Sequence, residues 1–176
     1  KIKKNKIDNV IIEASSHGLD QNRLDNLKLK AGIFTNFSQD HLDYHKTMKS
    51  YLNAKLNLFS KLLPSNSYVI ADENTKQFSK LKKISKNKKL KLLNISKQID
   101  LIKNFSLSLV RSFQIKNLSM AILAAKICNL NNVKIKNSLK SIKDVNGRLN
   151  LIKKYSNDVR VFIDYAHTPE ALREVL

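Results

Sequence analysis

The chain has 176 residues, 42% of them hydrophobic, enough for one domain or a little more around a buried core. That apolar share argues against wholesale disorder, and no uninterrupted apolar run is long enough to cross a bilayer. A net charge of +19 raises nucleic-acid binding, yet only five of the 33 basic residues are arginine, the side chain favoured for bidentate phosphate contacts. The lysines are spread along the chain, and no aromatics interleave with their one concentration, KLKKISKNKKLK. The expectation is a solvated lysine surface, with no nucleic acid and no membrane insertion. The single cysteine, Cys128, allows no internal disulfide and points to a reducing, cytoplasmic setting. It sits in NLSMAILAAKICNL, where a thiol packs as a small hydrophobe.

In chain order, DNVIIEA over 8–14 has the short apolar run of a buried parallel strand, and KAGIFTN (30–36) and SYVIAD (67–72) share it. Helices are predicted between them over 21–29 and 47–63. Thr47 is placed to cap the second by accepting a first-turn amide bond. LKLLNIS and NFSLSLV read as short strands with a polar edge, and helices follow over 117–129 and 133–143. Strand, helix, strand, helix, strand is an α/β layered pattern. The glycine turn VNGRLN then marks a change. VRVFIDYA reads as a new strand, and TPEALREVL opens a helix with Thr168 as cap and Pro169 first. This last strand and helix look like the start of a second α/β unit, so the chain reads as an internal piece of a longer protein.

In open α/β sheets ligands gather at the carboxyl ends of the strands. Three such ends carry polar groups: Glu13 with Ser15, Ser16 and His17; Asn36 leading into Asp40 and His41; and Asp164 with His167. No HExxH or paired CxxC spacing is present, and oxygen donors with an occasional imidazole suit magnesium beside phosphates. Lys55 is the odd residue. It shares the apolar helix face of Met48, Tyr51, Leu52, Phe59 and Leu62. Two readings stand: a lysine whose stem is buried while its ammonium reaches water, or a desolvated, neutral amine able to take up carbon dioxide as a carbamate. Spacing does not choose between them.

IIEASSHGLDQNRLDNL, AGIFTNFSQDHLDYHKTMKSYLNAK, NGRLN and FIDYAHTPEAL, in this order, resemble the Mur ligases, and within them the branch that adds the third amino acid of the peptidoglycan stem peptide. The resemblance covers most of the chain, the stretch 72–109 being generic. It implies the latter part of a central ATPase domain over 1–146, lacking the phosphate-loop region, followed over 147–176 by the start of a Rossmann-like C-terminal domain. It implies magnesium held by Glu13, His41 and a carbamylated Lys55, with His41 and Lys55 catalytic. Ser15, Gln21 and Arg23 match positions that contact a UDP-N-acetylmuramoyl dipeptide; Asn117, Arg148 and Asp164 match positions that face ATP. The amino acid joined would be diaminopimelate or lysine, and the enzyme a monomer. Two departures stand in RSFQIKN, where Arg111 replaces the family's glycine and Gln114 its first asparagine. The glycine-rich phosphate loop expected before Glu13 is absent from these residues, so the 176-residue chain by itself is expected to be inactive. Rival readings are another Mur-type or folylpolyglutamate-type ligase, and a basic nucleic-acid-binding module.

Overall fold

The computed structural model describes residues 7–103, 112–142 and 145–176. Its centre is a parallel sheet of β1 (Ala31–Ile33), β2 (Tyr68–Ala71) and β3 (Lys91–Asn94), in that spatial order. The register pairs Gly32 with Val69 and Val69 with Leu92. Strand β2 lies in the middle, and its side chains alternate between two apolar layers as the pleat requires. Val69 and Ala71 join Leu52, Leu56, Phe59, Leu63 and Leu81 on one face; Ile70 joins Ile95, Met120, Leu123 and Ile127 on the other. The first layer is covered by α3 (Met48–Asn57) and α4 (Phe78–Asn87), and the second by α6 (Ser112–Ile127). The expected α/β layering is therefore present, with helices on both faces of a parallel sheet.

The helix expected over 47–63 forms as α3 and then widens into a π-turn, Leu58–Leu62, in which the Leu63 amide bonds the Leu58 carbonyl at 3.0 Å. Thr47 caps it by accepting from the Ser50 amide at 3.1 Å. Leu58, Phe59 and Leu63, at and after the π-turn, all pack against Gly32 of β1. Gly32 makes this possible. A Cβ there would lie 2.9 Å from the Phe59 ring and 3.3 Å from Leu58 and Leu63.

The lysine-rich middle folds as α4, β3 and α5 (Ser96–Lys103), with Leu81 and Ile95 fully buried and the lysines of α4 turned outward. After α6 comes α7 (Asn132–Lys140), capped by Asn131. The turn around Gly147 leads into an antiparallel hairpin of β4 (Asn150–Lys154) and β5 (Arg160–Ile163), then α8 (Pro169–Val175), capped by Thr168 as its sequence indicates.

Two expectations change, and one strand was not expected. Residues 8–14 are extended without strand pairing, and Val10, Ile11 and Ile12 stand exposed. An apolar run becomes a buried strand only with a hydrogen-bonding neighbour, and among the described residues none pairs with it. The helix expected over 21–29 lies earlier, as α1 (Ser16–Asp20). The Ser15 hydroxyl accepts from Gly18 to start it, and Asn22 and Asn26, both left-handed, turn the chain away after it. Strand β4 went unread because LIKK carries no two-residue alternation. The strand expected at NFSLSLV and the departure at Arg111 lie outside the described residues.

One buried charge ties the layers. Asp72, 1% exposed at the end of β2, pairs with Lys116 of α6 at 2.9 Å, and its other oxygen accepts two bonds from Asn74. Burial works to raise its pKa, but the Asn74 bonds and the Lys116 ammonium outweigh it and leave the carboxyl below its ordinary value.

Two substitutions test this packing. Gly32→Ala forces the Phe59 ring out of place and lowers stability by about 1–3 kcal/mol in denaturant unfolding. An unchanged midpoint would refute the close contact. Asp72→Asn destabilises at neutral pH by about 1–3 kcal/mol. Because the folded carboxyl titrates below the ordinary 3.8, that stabilisation is complete above 3.8 and lost as pH falls through the lowered folded value. Mutant and wild type therefore converge in acid, and a gap that persists there would count against the pair.

Candidate active site

The short elements between β1 and α3 carry the chemistry-bearing residues. After Phe34, buried behind β1, the chain runs through Phe37 to Asp40 and into the single turn α2 (Leu42–His45). That turn is bounded by two left-handed residues that are not glycine, His41 (φ 54°) and Lys46 (φ 62°). Such backbone is unfavourable for residues with a Cβ and persists where surrounding contacts fix it. Here the contacts are specific. The His41 amide donates to Asp40 Oδ1 at 2.8 Å, and the Lys46 ammonium donates to the Asp43 carbonyl at 2.6 Å.

All four histidines of the chain meet around this loop. The His17 ring from α1 lies 5.0 Å from His41, 4.3 Å from Tyr44 and 5.4 Å from His45, centroid to centroid. His45 is buried, stacks on Tyr51 at 5.3 Å, and its Nε2 shares a 2.9 Å hydrogen bond with Ser16 Oγ. Burial depresses the pKa of its imidazole, against the pull of Asp20. The fourth, His167, reaches across from the segment before α8 to place Nε2 3.9 Å from Asp40 Oδ2; His41 Nε2 stands 3.6 Å from the same oxygen.

Lys55 projects from α3 into the other side of this cluster. Its Nζ lies 5.5 Å from the Tyr51 ring centroid and 5.8 Å from that of Phe34, within range of cation–π attraction. Among the described residues no hydrogen bond or carboxylate ion pair holds it. Burial lowers its pKa, offset in part by the charge of Asp40. Of the two readings of Lys55, the desolvated amine fits this environment better than an ammonium reaching water.

The structure thus brings His41 and Lys55 to one ring, Tyr51, beside one carboxylate, Asp40. Glu13 stands exposed on the extended segment before α1, with no hydrogen bond or ion pair to either. Among the described residues no three His, Cys, Asp or Glu side chains converge as a metal cluster. Ser15 spends its hydroxyl on the α1 cap, while Gln21 donates to the Tyr44 hydroxyl at 3.2 Å and Arg23 is exposed just beyond α1. Asn117 is exposed on α6, one residue after the Lys116 that holds Asp72. Arg148 lies over the Tyr165 ring at 5.0 Å. Asp164 accepts from the amides of Leu149 at 2.6 Å and Ala166 at 2.7 Å, so it fixes the loop that carries Arg148.

Sequence reasoning did not single out Tyr44 and His45, and took Tyr51 only as part of an apolar helix face. Their signal was the density of rings in DHLDYH and its spacing to Tyr51. What hid it was the left-handed backbone at His41 and Lys46, which no propensity rule assigns to histidine or lysine.

Comparison with known proteins bears on these placements. The Mur ligase middle domain matches residues 1–142. A UDP-N-acetylmuramoyl-L-alanyl-D-glutamate--2,6-diaminopimelate ligase of Rickettsia bellii (strain RML369-C) is 36% identical over 197 residues, covering 100% of this chain and 41% of the relative. The enzyme of the same name from Zymomonas mobilis subsp. mobilis (strain ATCC 31821 / ZM4 / CP4) is 35% identical and covers 97% of the chain and 40% of the relative. The chain therefore spans about two fifths of the length of the curated relatives it matches. A solved structure of a ligase of that name superposes with a TM-score of 0.67 at 25% identity, over 93% of this chain and 38% of that one. MurF from Acinetobacter baumannii shares the fold, with a TM-score of 0.66 at 13% identity over 82% of this chain and 36% of that one. With the middle-domain match running through the sheet, the histidine loop and the Lys55 helix alike, the chain belongs to the Mur ligase family.

Proposed function

We propose that this chain is part of an ATP-dependent ligase that joins 2,6-diaminopimelate to UDP-N-acetylmuramoyl-L-alanyl-D-glutamate in peptidoglycan synthesis. Residues 1–146 would belong to its central ATP-binding domain and 147–176 to the start of its C-terminal domain. The names of the relatives support the acceptor and the amino acid, and the enzyme is proposed to act as a cytoplasmic monomer. The observation that carries the reading is Lys55, a desolvated lysine with no counter-ion among the described residues, lying between two aromatic rings.

A neutral Lys55 amine attacks carbon dioxide; the new N–C bond forms as one C=O π bond opens, and a proton leaves to solvent. The side chain then ends in two oxygens bearing a negative charge, the donor type a hard cation takes. His41 would supply an imidazole beside the same Tyr51 ring, and Glu13 a carboxylate. These donors suit magnesium, which when bound neutralises charge on phosphate oxygens. ATP would convert the acceptor carboxylate to an acyl phosphate, and the amino group of the incoming amino acid displaces phosphate.

The chain's own residues align and hold. Arg23 offers a planar donor fork to an anionic group of the acceptor, with Ser15 and Gln21 beside it. On the ATP side stand Asn117, Arg148 and Asp164. Asp164 keeps the Arg148 loop closed through two amides, and Tyr165 backs the guanidinium. Alignment and charge stabilisation account for most of such a reaction.

The intact ligase should release phosphate only when given the acceptor nucleotide and diaminopimelate; turnover with glutamate or lysine alone would move it to another member of the family. With 13C-bicarbonate it should show a carbamate carbon resonance that Lys55→Ala abolishes, and short carboxylates should restore part of that variant's activity. Full activity of Lys55→Ala without any carboxylate would refute the role of the carbamate. Lys55 also has a stability signature. The folded amine binds its proton less tightly than the unfolded one, so the side chain costs stability at neutral pH, and that cost fades as pH rises towards 10.5. In carbon dioxide-free, magnesium-free buffer, Lys55→Met should raise Tm by about 2–4 °C at pH 7 and less at higher pH, while ending ligation. A lowered Tm would show that the lysine is there for packing.

A further inference from the structure

Two hydrogen bonds join α1 to α2 through one hydroxyl. Tyr44 OH lies 3.0 Å from Asp20 Oδ2, and Gln21 Nε2 lies 3.2 Å from Tyr44 OH. The direction of this chain of bonds follows from chemistry. An ionised carboxylate accepts only, so Tyr44 must donate its single proton to Asp20. The hydroxyl is then left with lone pairs alone towards Gln21, which must turn its NH2 inward. That orientation leaves Gln21 Oε1 unengaged among the described residues.

We infer that Tyr44 is a positioning residue: through the Asp20–Tyr44–Gln21 relay it locks the Gln21 amide so that its carbonyl oxygen meets a hydrogen-bond donor, an amide N–H or a hydroxyl, on the acceptor substrate. The inference rests on the ligase reading above for the identity of that ligand; the relay itself rests on the distances.

The relay is anchored where it needs to be. Tyr44 belongs to a four-residue turn whose two ends are left-handed, so its direction is set by His41 and Lys46 rather than by a continuing helix. Its neighbour His45 is buried and bonded to Ser16, which pins the same turn to α1 one residue further on. The His17 ring, 4.3 Å from Tyr44, closes the remaining side. A free glutamine amide would interchange its donor and acceptor ends by a half-turn of its last torsion, at little cost in water. Held by Tyr44, it has one N–H engaged and its carbonyl end fixed in place, so a ligand presenting an acceptor at that end would meet another acceptor. Burying or pairing the wrong polar end discriminates far more strongly than losing an apolar contact.

The test is a double-mutant cycle in the intact ligase with Tyr44→Phe, Gln21→Ala and both. Tyr44→Phe keeps the ring against His17 and removes only the hydroxyl. It should raise KM for the acceptor nucleotide about five- to tenfold, with kcat and KM for ATP within about twofold. Added to Gln21→Ala it should change nothing further, because its effect passes through that amide. An acceptor KM unmoved by Tyr44→Phe, or effects that multiply in the double variant, would overturn the proposal. A second readout needs no reaction: in 15N-glutamine-labelled protein, Tyr44→Phe should shift the Gln21 side-chain amide pair and leave the other glutamines in place. If those signals do not move, the relay is wrong even where ligation is intact. If they move while the wild-type protein ligates no acceptor, the ligase reading fails and the relay stands.

Discussion

The cost of keeping Lys55 out of water is the constraint on which this structure turns. An ammonium among apolar groups is unfavourable unless it is paired, and here it finds two ring faces and a distant carboxylate instead of an ion pair. Phe34 and Tyr51, which make that environment, are themselves held by the core: Phe34 follows β1, and Tyr51 is on the first turns of α3. Lys55 emerges beside these rings from α3, whose position is fixed by its own packing. That helix cannot rotate while its π-turn seats Phe59 and Leu63 against Gly32. The packing that stabilises the fold thus also maintains the unfavourable position of one amine, and a protein tolerates such a conflict where it is used.

The same logic orders the loop before α3. Regular structure supplies a rigid floor, the carboxyl ends of β1 and β2, but the side chains above it come from one-turn elements. A helix of four or five residues has no stability of its own. Caps and cross-bonds define α1 and α2: Ser15 to Gly18, His45 to Ser16, Tyr44 to Asp20. Each of these joins a residue of one short element to the other or to its own start, so the two turns are ordered together or not at all. Coupling of this kind gives short segments the precision that a catalytic arrangement needs.

How far the sequence disclosed this depends on which rule each residue obeys. Strands β1 and β2 and helix α3 were legible because apolar period and a capping threonine both act within the segment itself. The same holds for α8, where Thr168 and Pro169 mark the start. The run over 8–14 misled because a strand is made by its neighbour, and Val10 to Ile12 have the composition of one without a partner among the described residues. The helix placed over 21–29 missed α1 because asparagine at 22 and 26 takes the left-handed region, which the apolar pattern of the surrounding leucines does not report. For the candidate site, motif resemblance directed attention to the loop before α3, and helical spacing put Lys55 on an apolar face without saying whether its amine reaches water. Neither could show that His45 faces Ser16 or that a tyrosine lies between Asp20 and Gln21, since both depend on backbone angles that His41 and Lys46 adopt against their preference.

Charge is arranged in two tiers, and the arrangement bears on how anionic substrates would be handled. The excess of lysine is a far-field property: Lys80, Lys82, Lys83, Lys86 and Lys89 stand exposed on and after α4, remote in sequence from the loop. At short range Asp20 and Asp43 act on His45 and Asp40 on Lys55, and the Lys55 ammonium is discouraged by burial. A positive surface raises the local concentration of phosphorylated ligands and falls away with salt. The net charge of +19 is thus a property of the surface at large, while the histidine–lysine loop carries aspartates of its own.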